Sequence, residues 1–78
     1  MDDLDEMLLK QLRRELLKYC EMMMRKTNLG KHTKIVFGGV KKRILDKGFI
    51  SVKQFHFLER FMKYENFDYS KFERLIYN

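Results

Sequence analysis

Apolar residues return at steps of three and four along the first third of the chain: Leu4, Leu8, Leu12, Leu16, Tyr19, Cys20 and Met23. That period puts them on one stripe of an α-helix, which Leu9, Leu17, Met22 and Met24 widen. The acids Asp2, Asp3, Asp5 and Glu6 crowd the start, where a helix dipole is positive, and Arg25 and Lys26 close the end. Asn28 and Gly30 supply the stop. The pattern predicts one long amphipathic helix over residues 3–26.

A second helix is expected from about Thr33 to Lys47, with Ile35, Val36, Phe37, Val40, Ile44 and Leu45 on one face. Gly38 and Gly39 sit inside it, each costing ~1 kcal/mol relative to alanine. The run KIVF favours a strand by composition, but no second strand is visible to pair with it, so helix is preferred. The glycine pair then marks a bend, a close helix contact or a flexible spot.

Gly48 ends this helix and the next begins almost at once. Ser51 and Gln54 have the spacing of a capping box, and Ile50 and Phe55 stand where a hydrophobic staple would. The third helix should run from Val52 to about Tyr64, burying Phe55, Leu58, Phe61 and Met62. A short last helix should start near Asp68 or Ser70. Ser70 and Glu73 repeat the capping-box spacing there, and Phe72, Leu75 and Ile76 face inward. The expected fold is all-α, a small four-helix bundle forming a single domain over residues 1–78.

Composition narrows the class further. Proline is absent and glycine occurs four times in 78 residues, which argues against a linker or a turn-rich β fold. A chain this short buries only ~60% of its unfolded surface. Cys20 is the single cysteine, so no internal disulfide can staple it, and a lone thiol fits a reducing, cytoplasmic setting. His32 and His56 lack partners at metal-ligand spacing, so no metal or other cofactor is expected. No apolar run nears the ~20 residues of a membrane span, and the acidic start is the reverse of a signal peptide. No membrane partner is expected, and a monomer is.

The net charge of +6 is unevenly placed. Residues 1–24 sum to −2 and residues 54–78 to 0, whereas residues 25–53 hold nine cations against Asp46 alone, giving +8. A phosphate backbone rewards such clustering, because each neutralised phosphate releases counterions. Lys34, Lys41 and Lys42 are expected to form a band opposite Val40 and Ile44, flanked by the loop cations Lys31 and Lys53. Arg43 and Lys47 complete the candidate set. The Ser51 helix start could add backbone N–H groups to a phosphate. Lysines on a helix are more often mere solvated surface; eight net charges within 29 residues favour binding.

Other features read as packing. Phe55, Leu58, Phe61 and Met62 have core periodicity rather than that of base-stacking platforms, while Phe49, Phe57, Tyr64, Phe67 and Tyr69 are less committed. His56 is expected to be half buried beside the core face, Cys20 a small core residue, and Met22 to Met24 gap fillers. No paired carboxylates, phosphate loop or nucleophile–base pair appears, so no enzyme is expected.

The stretch KYCEMMMRKTNLGKHTKIVFGGVKKRILDKGFISVKQFHFLERFMKYENFDYSKFERLIYN resembles the family of small proteins encoded directly after the UvsW recombination helicase in T-even-type bacteriophages. The resemblance covers essentially the whole chain. It implies a mobile four-helix bundle similar to the HRDC module, the structure-specific nucleic-acid-binding domain of RecQ-type helicases. Typical HRDC members carry a proline-bearing first loop and a glycine-rich turn. Here NLGKH takes the first position without proline, and nothing matches the turn. No family binding residue is therefore carried over. Charge and resemblance together imply an accessory module in phage DNA recombination, replication or repair. Single-stranded or branched DNA, with a helicase or other recombination protein, would be its partner. A protein-binding adaptor or inhibitor of a replication protein is the alternative.

Overall fold

A computed structural model describes residues 3–77; the Asp2 reading lies outside them. Four helical segments follow in order: α1 (Asp3–Arg25), α2 (Lys31–Lys47), α3 (Val52–Tyr64) and a 3₁₀ helix (Ser70–Leu75). The chain is all-helical, the first helix long and the last short.

Helices α1 and α2 pack antiparallel. Arg13 meets Gly48, Glu21 meets Lys41, and Met24 lies against Gly38. Phe37 is the hub of the core: it is fully buried and touches the rings of Tyr19, Phe57 and Phe61 at centroid distances of 5.9, 4.9 and 5.3 Å. From α1 the core takes Leu12, Leu16, Tyr19, Cys20 and Met23, from α3 Phe55, Leu58 and Met62. The predicted Phe61 is only partly buried, packed against Phe37 and Phe57.

Two hydrophobic faces are narrower than the sequence suggests. Leu4 and Leu8 are exposed because Arg13 already lies level with Gly48, just past the end of α2, so the first turns of α1 run beyond it. On α2 only Phe37, Val40 and Ile44 are buried, while Ile35, Val36 and Leu45 are exposed. At 100° per residue those three lie well off the buried line, and α2 has neighbours on one side only.

The glycine pair does not break α2, which is continuous from Lys31 to Lys47. A side chain at Gly38 would meet Met24 Cε at 3.4 Å, an ordinary contact, and one at Gly39 would meet open space. Gly48 is different. It takes φ 77°, and its N–H donates to the Ile44 carbonyl at 2.9 Å, ending α2 as only glycine does without strain.

The Ser51 capping box forms as expected. Ser51 N–H donates to Gln54 Oε1 at 3.0 Å, and Gln54 N–H to Ser51 Oγ at 3.1 Å. The second box does not form. Ser70 lies inside its helix rather than before it, and its hydroxyl donates to the Asp68 carboxylate at 2.8 Å. Six residues are also too few to nucleate a stable α-helix, and the tighter 3₁₀ form results. A parallel bridge between Ile50 and Ile76 ties this end back to the start of α3. Its bonds run from Ile50 N–H to the Leu75 carbonyl at 2.8 Å and from Tyr77 N–H to the Ile50 carbonyl at 3.0 Å.

Candidate nucleic-acid interface

The seven predicted cations do not share one face. Six ride on α2 and Lys53 on the first turn of α3. At 100° per residue, Lys34 and Lys41 flank the buried Phe37–Val40–Ile44 line on one side. Arg43 and Lys47 flank it on the other, and Lys31 and Lys42 point away from it. Lys31 and Lys47 also stand roughly 24 Å apart along the helix. Lys41 is engaged with Glu21 at 3.2 Å. The expected band of Lys34, Lys41 and Lys42 occupies an arc of about 100° on one side of α2, with Lys31 inside it, centred beside the buried line rather than directly opposite Val40 and Ile44. The capping box also takes the Ser51 and Gln54 N–H groups that a phosphate at this helix start would use.

A different grouping forms at the C-terminal end of α2. One hollow there is lined by Lys10, Arg13, Arg14, Leu17, Ile44 and Leu45. A second, of about 370 Å³, is lined by Arg43, Lys47, Phe49 and Tyr77. Arg13 joins the two. Its Nε donates to the Gly48 carbonyl at 2.9 Å, and its guanidinium carbon lies 5.5 Å from the centre of the Phe49 ring. This places a cation at the negative end of the α2 dipole, a favourable site, and holds the guanidinium over an aromatic face. Five cations from two helices therefore surround one helix end, with exposed Asp46 the acid of that turn.

Three of these, Lys10, Arg13 and Arg14, escape a charge count over residues 1–24, because the acids at the start of α1 outweigh them. A signal was present nonetheless: residues 7–18 hold Lys10, Arg13, Arg14 and Lys18 against Glu15 alone. Antiparallel packing then carries this short basic run to the basic end of α2.

The remaining polar groups have other roles. Lys71 pairs with Glu15 at 2.9 Å and Lys26 with Glu65 at 3.5 Å, tying the end of the chain and the end of α3 to α1. His56 is exposed rather than half buried, its Nδ1 3.7 Å from Glu59; it sits one position off the buried stripe of α3. Cys20 is fully buried, and burial pushes its thiol up to about 12 despite the pull of nearby Lys41. Since the thiolate is the reactive form, it is a packing group at neutral pH. Burial likewise raises the Tyr19 phenol above its ordinary value, with Glu65 adding to the effect. Of the methionine run only Met23 is buried; Met22 and Met24 are exposed. Among the described residues no three His, Cys, Asp or Glu side chains are grouped to hold a metal, and no helix is long and apolar enough to cross a membrane.

Compared with protein-family models, curated proteins and solved structures, the chain matches none. What the arrangement offers chemically is Arg13 fixed at the end of α2 beside the Phe49 ring, with exposed cations lining a hollow on either side of it.

Proposed function

We propose that this protein is a small, non-enzymatic module that binds nucleic acid through its phosphates, as an HRDC-like accessory to phage DNA recombination, replication or repair. The observation that carries the reading is the pair of cation-lined hollows at the C-terminal end of α2, one lined by Lys10, Arg13 and Arg14 and the other by Arg43 and Lys47. Arg13 is held at that end by the Gly48 carbonyl and the Phe49 ring, and the four exposed cations around the two hollows are free to reach phosphates. Lys31, Lys34, Lys42 and Lys53 add a diffuse positive field that would speed encounter. A titration of the labelled protein with single-stranded, duplex and branched DNA at low salt tests the reading. Amides of residues 10–14 and 43–49 should move, and no movement there with any of the three would refute it.

A second reading, an adaptor for a replication protein, draws on the overhanging start of α1. There Met7 and Leu8 are exposed among Asp3, Asp5 and Glu6, an amphipathic segment suited to a partner helix. Capture of a stoichiometric partner after nuclease treatment, with no DNA-induced shifts, would favour it.

A further inference from the structure

Resting on the phosphate-binding reading above, we propose that the cleft between Phe49 and Tyr77 is a stacking subsite for one unpaired nucleobase. It would give the module a preference for single-stranded over duplex nucleic acid.

The two rings are 28 positions apart in sequence and are brought together by the Ile50–Ile76 bridge. Ile50 is fully buried, so the pleat turns the preceding side chain, Phe49, toward the opposite face. The bond from Tyr77 N–H to the Ile50 carbonyl sets Tyr77 beside it. Their ring centroids lie 5.8 Å apart with planes at 64°, an edge-on pair that leaves ring face uncovered. Phe49 is steadied by the Arg13 guanidinium, whereas Tyr77 remains 66% exposed. An aromatic ring held beside another yet largely uncovered is a platform with room for a third.

Size and charge narrow the occupant. The cleft of about 370 Å³ lies at the low end of the ~300–1,000 Å³ typical of small-ligand sites, suited to one nucleotide rather than a helix. Arg43 and Lys47 share its lining one turn apart on α2, so a base on the rings keeps its own phosphates beside two cations. In a duplex each base face is covered by its neighbours, and only an unpaired base can lie on a ring. Stacking also tolerates every base, since each has a π-face.

The test compares the intact chain with Tyr77→Ala and Tyr77→Phe. Neither change removes the backbone bond from residue 77 to Ile50. The probes are an oligothymidylate of about 12 nucleotides, within the ~4–16 that one small single-strand site covers, and a duplex of the same length. Wild type should bind the single strand more tightly, and its Tyr77 ring protons should shift upfield with that strand only. Tyr77→Ala should weaken single-strand binding about 5- to 100-fold, the loss of one stacked base. Its duplex affinity should stay unchanged, and Tyr77→Phe should behave as wild type. If wild type binds both probes and Tyr77→Ala alters neither affinity, the stacking subsite is refuted while the phosphate reading stands. Binding of neither probe at low salt would overturn both.

Discussion

The Arg13 guanidinium donates to the carbonyl of Gly48 at 2.9 Å across 35 positions of sequence, and would be crowded by any side chain placed there. A Cβ on Gly48 would stand 3.2 Å from the guanidinium carbon, and the backbone already has φ 77°. This contact anchors α1 to the end of α2 and fixes Arg13 there.

Gly48→Ala should therefore destabilise the fold by about 1–2 kcal/mol, the cost of a left-handed conformation with a side chain. Arg13→Ala should cost about 1.5–3 kcal/mol, the range for a hydrogen bond to a charged group. Urea unfolding followed by circular dichroism measures both. Full stability in either variant would remove this contact from the account.

Gly39→Ala is expected to act in the opposite direction. The position lies inside α2 facing open space, and alanine is favoured over glycine in a helix by roughly 0.5–1 kcal/mol. A rise in the unfolding midpoint would confirm that this glycine has no packing role. A fall would mean that α2 must flex there.

Phe37→Ala should remove about 3–5 kcal/mol, the usual loss for a buried ring. Native domains hold only ~5–15 kcal/mol in total, so this variant should lose a large share of its stability, read as a much lower unfolding midpoint by circular dichroism. Ser51→Ala, which loses only the cap, should cost about 1 kcal/mol.

Alkaline pH should weaken the fold through Cys20 and Tyr19. Both groups have folded values raised above their ordinary 9.0 and 10.0, so the protonated forms are the ones the core accepts. Their contribution is complete below about pH 9 and is lost as pH climbs toward about 12, because the unfolded chain ionises first. Urea midpoints should fall across that window, and Cys20 should resist thiol reagents at pH 8 until the chain is unfolded. Rapid native-state labelling would contradict the buried placement.

Much of the architecture was legible because it rests on local rules. The 3.6-residue period located α1, the Ser51–Gln54 spacing fixed the start of α3, and Gly48 marked the end of α2. What stayed hidden depends on how helices sit against each other. Leu45 is apolar but stands about 100° around the helix from Ile44, and it is exposed because α1 covers only part of α2. Lys10, Arg13 and Arg14 belong to a segment of negative net charge, and only antiparallel packing delivers them to the C-terminal end of α2. Ser70 matched a cap by spacing, but Asp68, two residues before it, offered its hydroxyl a charged acceptor.

The central claim is that five cations around the end of α2 grip phosphates, and the salt dependence of binding tests it most directly. Affinity for duplex DNA would be measured from low to physiological salt for wild type and for Arg43→Glu/Lys47→Glu. If all five engage, log K should fall with log salt at a slope of about −4 to −5 for wild type. The double variant should bind far more weakly with a slope smaller by about 2. A wild-type affinity indifferent to salt, or a double variant with unchanged slope, would contradict the account.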